Sequence, residues 1–466
     1  MAWAHFNGLS FVACDAFDPP CNGGAAVDTS AISNFKDFVG HPTLVLDPRT
    51  GNAVYVTLAD TDGDPSTAER VVASLSTDGG LTFQRAFPVN EDSCSNGVQD
   101  MPHAVFDATT SPATLWVVWR HNGAFGLGGS FGGCIRRFFV QGSGATAALM
   151  PLDEAHTIDG MDSEDSVSGQ GGLKVAAGDG AVTVVYSKTD HVVACSDVKN
   201  ANDSRRGVGW GSVTSFNNGK EFLNHITIFH SDEFAWCVFP HKHPTLQNSI
   251  RAFDFVRAPS GIEYVAINDS AGTVRLFMSP AAGAGGWQNE TSEINTWFEF
   301  CPGTLTDPSD PRTPFANWRR VDDKQCPPGQ LLVTQALTNG VALLPTLAVD
   351  GKGRLGLSVM RAADGKQSTL DALFFAATSL QAPIAKTALA TFQVLLPPLV
   401  SAFGPPSNIA PNVGTVAQPL GAYMGMTSKS AGRAGCGSEG DFIPYWVQSD
   451  ASGSPQIATS TITLSP

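Results

Sequence analysis

Charge is scarce in this chain. Of its 466 residues, 28 are Lys or Arg and 43 are Asp or Glu, so charged residues make up 15%, against about 25% in ordinary soluble domains. That shortage argues against a fold built on charged amphipathic helices. Basic residues are the scarcer sign, and the formal net charge is −15. A face able to neutralise phosphates or anionic lipid is therefore not expected, which excludes a nucleic-acid partner and adsorption to a membrane. Long apolar runs are missing too. The most apolar stretch, Thr387 to Phe403, is broken by Pro397-Pro398 and falls short of the roughly 18 apolar residues of a membrane span. The opening MAWAHFNGLSF lacks the basic-then-apolar order of a signal peptide. No C-x-x-C occurs, so a zinc ribbon or redox dithiol is not expected. The glycine-rich stretch Gly123 to Gly133 lacks G-x-G-x-x-G spacing and reads as a loop, not a phosphate cradle.

What is abundant points to strands and turns. There are 48 Gly and 30 Pro, and 42% of residues are hydrophobic, which suits short apolar strands joined by tight loops. Nine cysteines sit largely in Gly-, Asp- and Pro-rich loops. The suggested pairs are Cys14 with Cys21, Cys94 with Cys134, Cys195 with Cys237, and Cys301 with Cys326, leaving Cys436 over. Such usage fits an oxidising compartment, so the expectation is a secreted, extracellular or periplasmic protein in its mature form, a monomer. Asn289-Glu290-Thr291 would be a glycosylation sequon there.

One unit recurs along the chain. A short apolar strand, often ending in Asp, leads through a turn to an apolar or aromatic strand, and two outer strands follow. The clearest copy joins HPTLVLD (41–47) to AVYVTLAD (53–60) and RVVASLS (70–76). Further copies start near Met101, Leu173, His243, Leu344 and Tyr423. The expected fold is all-β, a β-propeller of six four-stranded blades with room for a degenerate seventh. The blades fall at about residues 41–95, 100–160, 170–230, 240–295, 340–385 and 420–466, in a single domain 41–466. Residues 1–40 form an N-terminal segment that could supply a ring-closing strand, and about 300–330 is a cysteine-bounded insert.

Two turns carry a resemblance. Ser76, Asp78, Gly80, Thr82 and Phe83 read S-x-D-x-G-x-T-F, and Ser215, Asn217, Gly219 and Phe222 repeat the spacing. The motif is similar to the Asp box (BNR repeat) of sialidase-like propellers. That resemblance implies the propeller fold, with the boxes at the blade periphery and a ligand site at one mouth of the central channel. It does not extend to the sialidase reaction: the family's early Arg-Ile-Pro motif is absent and a third clamp arginine is not evident.

The candidate site residues follow from the repeat. Aligning HPTL (41–44), MPHA (101–104), HPTL (243–246) and LPTL (344–347) places His41, Met101, His243 and Leu344 in one row. His103, two residues beyond Met101, is expected on the same face. His41, His103 and His243 are thus candidates for acid/base catalysis or for binding a divalent metal. Arg120, His121 and Arg361, at strand ends, are candidate substrate contacts. Tyr423 and Tyr445 are candidate nucleophiles or proton donors, and Asp60 a candidate acid. The run Asp60-Thr61-Asp62-Gly63-Asp64 has the alternate carboxylates of a calcium loop, though turn chemistry also explains it. Three functions stay open: a carbohydrate-active enzyme (glycoside hydrolase or polysaccharide lyase) acting on a glycan, a non-catalytic glycan- or protein-binding propeller with exposed aromatics such as Trp210, Trp287, Trp297 or Trp446, and a His-ligated metalloenzyme.

Overall fold

The structure is a computed structural model. It describes residues 2–5, 8–11, 27–63, 69–80, 82–91, 94, 97–122, 132–158, 166–167, 172–189, 207–232, 253–268, 274–279, 341–351 and 353–362, and beyond these the strands given below. The described residues include a 3-10 turn at Gly144–Thr146, and none of the helices they contain is long and apolar enough to cross a membrane.

The chain is all-β, and its sheets are propeller blades. A hairpin of β1 (Ala2–His5) and β2 (Gly8–Phe11) precedes them, its two strands paired with each other. The first blade is β3 (Asp37–Leu46), β4 (Ala53–Asp60), β5 (Arg70–Ser76) and β6 (Phe87–Pro88). The second is β7 (Val98–Asp107), β8 (Thr114–Asn122), β9 (Gly132–Gln141), β10 (Ala148–Pro151) and β11 (His156–Thr157). The third holds β12 (Ser166–Val167), β13 (Leu173–Gly178), β14 (Ala181–Thr189), β15 (Gly207–Ser215) and β16 (Leu223–Asp232). Next come β17 (Phe253–Arg257), β18 (Glu263–Asn268), β19 (Val274–Ser279), β20 (Phe298–Phe300) and β21 (Trp318–Arg320). The fifth sheet is β22 (Val341–Val349), β23 (Leu355–Ala362), β24 (Thr369–Ala377), β25 (Phe392–Val394) and β26 (Leu399–Ala402). The last is β27 (Gly425–Ser428), β28 (Asp441–Ser449), β29 (Pro455–Thr459) and β30 (Ile462–Thr463). Neighbours in each sheet run antiparallel. β20 and β21 are the outer strands of the fourth sheet, β20 just before the expected insert near 300–330 and β21 within it. The chain divides into two compact units, Met1–Val192 with Gly211–His225, and Val193–Trp210 with Ile226–Pro466.

Within the first unit the core lies between blades. All eight residues of β4 are buried, as expected of a strand covered on both faces. Val54, Val56 and Leu58 pack with Ala104, Leu115, Val117 and Trp119 of the second blade. The opposite face of that blade sends Trp116 and Val118 against Val175, Val182, Val184 and Tyr186 of the third. The side-chain period of two thus serves two interfaces from one strand. The disulfide Cys94–Cys134 bears out one expected pair and is fully buried in the first of these clusters. The other seven cysteines lie outside the described residues.

The turns obey the local chemistry of their residues. Where the first strand ends in Asp, that side chain closes the hairpin. Asp47 Oδ1 accepts from Arg49 N–H at 3.0 Å, Asp107 Oδ1 from Thr109 N–H at 2.9 Å, and Asp350 Oδ1 from Arg354 N–H at 2.8 Å, the short-side-chain capping that suits Asp to turns.

The two Ser-x-[Asp/Asn]-x-Gly turns share one hydrogen-bond pattern. In the first, Ser76 Oγ donates to Asp78 Oδ1 at 2.7 Å and accepts from Gly80 N–H at 2.8 Å, while Asp78 Oδ1 accepts from Thr82 N–H at 2.9 Å. In the second, Ser215 Oγ donates to Asn217 Oδ1 at 2.9 Å and accepts from Gly219 N–H at 2.8 Å, while Asn217 Oδ1 accepts from Glu221 N–H at 3.0 Å. Phe83 sets its ring edge-on to Tyr55 with centroids 6.1 Å apart, and Phe222 is buried in the cluster around Trp116.

The glycines of the two turns differ in one respect. Both have positive φ, +94° at Gly80 and +75° at Gly219, but a Cβ on Gly80 meets open space, whereas one on Gly219 would lie 2.6 Å from the Trp116 ring. Gly80→Ala is expected to cost only the left-handed backbone penalty, about 1–2 kcal/mol. Gly219→Ala adds an overpacking cost of about 1–3 kcal/mol. Urea unfolding of the two variants side by side checks this, and equal losses would contradict it.

Candidate active site at the inner strands

The first strand of a blade is an edge strand, and in three blades it carries a proline near its middle: Pro42, Pro102 and Pro345. Proline brings no N–H to the ladder and pushes the preceding residue out of the right-handed helical region. A β-bulge nevertheless falls at the same place each time. Register shifts fall between Gly40 and Thr43, between Asp100 and His103, and between Leu343 and Thr346. The residues before the prolines take left-handed backbone, with φ +54° at His41, +47° at Met101 and +49° at Leu344. The row His41, Met101, Leu344 read from the sequence is therefore a structural row. A non-glycine residue there costs on the order of 1 kcal/mol or more. Met101 and Leu344 are buried apolar fillers. His41 occupies the same slot with an imidazole that stays 25% exposed.

His103 does not share that row. The bulge breaks the period of two, so His103 takes the register of Thr43 and Thr346 and reaches the neighbouring blade. Its Nδ1 accepts from Val175 N–H at 3.2 Å, just as Thr43 Oγ1 donates to Pro102 O at 2.9 Å. In the second unit Asp254 has the same register, and its Oδ2 accepts from Leu347 N–H at 2.7 Å. His103 thus occupies a blade-locking position. Burial, and secondarily Lys174, hold it well below its ordinary value of 6.5. Folded His103 resists a proton that the unfolded chain accepts, so stability is expected to fall as pH drops below about 6.5. His103→Gln should flatten that acid decline, read from urea midpoints against pH.

His243 lies outside the described residues. In its blade the strand that pairs with β18 is β17, where Asp254 stands opposite Ala266. Asp254 is thus the residue of that sheet in the register of Thr43.

The group around His41 includes a residue that sequence reasoning missed. On β7 and β8 two cross-strand pairs stand side by side, Asp100 opposite Arg120 and Gln99 opposite His121. Asp100 sits between His41 and Arg120: His41 Nε2 is 3.3 Å from Asp100 Oδ1, and Arg120 Nη1 is 3.4 Å from Asp100 Oδ2. Met101 N–H also donates to Asp100 Oδ1 at 2.8 Å. Arg120 is 9% exposed and Asp100 21%, so the arginine stands behind the carboxylate as its counter-ion. The position expected to contact substrate directly is thus occupied by an arginine set against Asp100. Burial lowers the His41 pKa, Asp100 raises it and Arg120 lowers it, with a net direction below 6.5. On the other pair, Gln99 Oε1 accepts from Trp119 Nε1 at 2.8 Å and lies 3.3 Å from His121 Nδ1. The signal for Asp100 was available in the sequence: it immediately precedes the Met-Pro of the bulge.

The remaining candidates are placed as follows. Asp60 is buried, and its Oδ1 accepts from Asp62 N–H at 2.9 Å and Gly63 N–H at 2.8 Å, the turn-closing use of an aspartate. Asp60, Asp62 and Glu69 hold ligand atoms within 4.8 Å of one another, and among the described residues no such group includes a histidine. Tyr55, Tyr186 and Tyr264 are sealed in the core, and burial pushes Tyr55 and Tyr264 far above the ordinary phenol value. A tyrosine nucleophile would thus have to be Tyr423 or Tyr445. Tyr423 lies outside the described residues. Tyr445 lies on β28 opposite Gly425 and Arg361 on β23 opposite Ala342, their side chains outside the described residues. Trp210 is fully buried, so it is no exposed aromatic platform. Trp287 and Trp297, and the side chain of Trp446, are outside the described residues.

No protein-family model matches the chain, and no curated protein matches it. Solved structures similar to it are β-propeller enzymes of carbohydrate chemistry. Bacillus subtilis levansucrase aligns at a TM-score of 0.39 and 10% identity, over 94% of this chain and 86% of its own. An α-L-arabinanase of Penicillium chrysogenum, solved with arabinobiose, aligns at 0.39 and 10%, over 94% and 98%. The α-L-arabinofuranosidase Arb93A of Fusarium graminearum, solved with an iminosugar inhibitor, aligns at 0.37 and 9%, over 94% and 96%.

Proposed function

We propose that the protein is a secreted, sialidase-like propeller that acts on a glycan as a glycoside hydrolase or polysaccharide lyase, with His41 as its proton-transfer group. The observation that carries the reading is the His41–Asp100 contact in a left-handed slot that the equivalent positions fill with apolar side chains. A partly exposed imidazole in a strained position, backed by a carboxylate and a buried arginine, has the makings of a general base. With its proton on Nε2, toward Asp100, neutral His41 carries the basic lone pair on Nδ1. The two Asp-box-like turns support the sialidase-like resemblance, and the Cys94–Cys134 disulfide supports an oxidising compartment.

The test is a screen of neutral and acidic polysaccharides with the purified full chain. New reducing ends without ultraviolet absorbance identify a hydrolase, and an absorbing unsaturated uronide identifies a lyase. Glycan binding without cleavage would replace the enzyme by a binding propeller, and neither binding nor cleavage would sink the reading. A base must be neutral to act, so the acid limb of kcat/KM is expected below pH 6.5, the ordinary histidine value. Asp100 raises the His41 pKa, so Asp100→Asn should move that limb to still lower pH. A limb that stays put in the variant would argue that another group titrates.

A further inference from the structure

The bulge that carries His41 is pinned on both sides. Upstream, Phe38 is buried in a cluster with Val27, Ile32, Tyr55 and Ala59. Downstream, Thr43 Oγ1 donates to Pro102 O of the second blade at 2.9 Å. Between them the joint is Gly40, whose φ is +112° and where a Cβ would meet nothing within 4 Å. Sterics at that point therefore leave the Gly40–His41 peptide free to turn. One side chain restrains it. Thr57 on β4 is fully buried, and its Oγ1 donates to Gly40 O at 2.7 Å. That carbonyl shares its peptide plane with the His41 N–H, so a hold on the oxygen is a hold on the backbone from which the imidazole projects.

Thr57 stands opposite the bulge, between Val56 and Leu58, which pair with Thr43 and Gly40. The same place is taken by Trp119 in the second blade and by Val359 in the fifth. Trp119 sends its one side-chain donor to Gln99, and valine has none. The hydroxyl thus goes with the blade whose slot holds an imidazole where the others hold Met101 and Leu344. Val56 and Leu58 pack toward the second blade, and Thr57, one residue out of step with both, faces away from it. Its hold on His41 is exerted through the backbone, from the side opposite Asp100.

We infer that Thr57 is a positioning residue, its buried hydroxyl fixing the Gly40–His41 peptide so that the imidazole keeps its contact with Asp100. Its part in turnover rests on the reading of His41 given above; the anchoring of His41 does not. The His41–Asp100 separation of 3.3 Å is at the long end of hydrogen bonding, where a small turn of the backbone breaks it. With the peptide released, imidazole and carboxylate part, and Asp100 loses its influence on the His41 titration.

The experiment follows the imidazole proton signals of the full chain against pH, with His41→Asn used to assign the His41 signal. In the parent, Asp100→Asn should lower the His41 midpoint, because Asp100 raises it. Thr57→Val removes the hydroxyl and keeps the shape. In that background the same Asp100→Asn step should lower the midpoint by less, the cycle separating the His41–Asp100 coupling from any general change in burial. Thr57→Ser, which keeps the hydroxyl, should show the full step. An equal step in the Thr57→Val background, or a Thr57→Ser chain that behaves like Thr57→Val, overturns the inference. Thermal unfolding run alongside shows that each variant is folded, and Thr57→Ala repeats the deletion if valine does not fit. For turnover, Thr57→Val should lower kcat on the cleaved glycan about tenfold or more with KM within about twofold, since misplacing a reacting group costs rate before it costs binding. Unchanged kcat overturns the role in turnover. If no glycan is cleaved, the enzyme reading fails while the titration still decides whether Thr57 holds His41.

Discussion

His41→Asn is expected to lower kcat/KM on the cleaved glycan by about 10²–10⁴-fold, the usual contribution of a positioned proton-transfer group. Asparagine is chosen because the residue sits at φ +54°, a region that Asn tolerates far better than alanine does. The backbone strain is thereby relieved, not increased, and the variant should unfold within about 0.5 kcal/mol of the parent or be slightly more stable. Loss of activity then reports chemistry and not folding. Asp100→Asn tests the same dyad from the other side. It keeps the shape but weakens the hold on His41 and Arg120, and a drop of about tenfold or more is expected. A His41→Asn enzyme within about threefold of the parent would remove His41 from the mechanism and leave the bulge as a packing feature.

Removing the Cys94–Cys134 bridge is expected to cost about 4 kcal/mol, the loop-closure value for a link of this length across a sequence separation of 40. Two features keep the effect near that size. The bridge is fully buried in the cluster shared by the first and second blades, so both cysteine side chains also leave packed positions. It also ties β9, where Cys134 stands opposite Trp119, to the segment that leads directly into Gln99 and Asp100. Cys94→Ser/Cys134→Ser should therefore lose activity at temperatures where it is still folded. Urea midpoints of the oxidised parent and the double variant measure the first effect, and activity well below the melting range measures the second. A loss under about 1 kcal/mol would mean that the two blades are held without the bridge.

Much of the blade design was readable from residue order. The Asp that ends a first strand closes its hairpin in each clear case, because a short carboxylate can reach turn N–H groups without help from the rest of the fold. The Ser-x-[Asp/Asn]-x-Gly turns form as read, because their hydrogen bonds join residues no more than four apart. The row of His41, Met101 and Leu344 was also legible, since the repeat aligns them at one position of the first strand. What failed was the assumption that His103 lies on the same face as that row. Alternation along a strand holds only while the ladder is unbroken, and the bulge beside the proline inserts a residue at that point.

The sequence by itself determined the strands and the turn chemistry, which depend on short-range sterics and hydrogen bonding, and suggested the one disulfide pair that joins neighbouring loops. Only the tertiary structure decided that Asp100 lies between His41 and Arg120, that Arg120 is a buried counter-ion, and that Gln99 stands between Trp119 and His121. Those facts depend on which blade packs against which and on the register of β7 against β8, and no local rule in the chain specifies either.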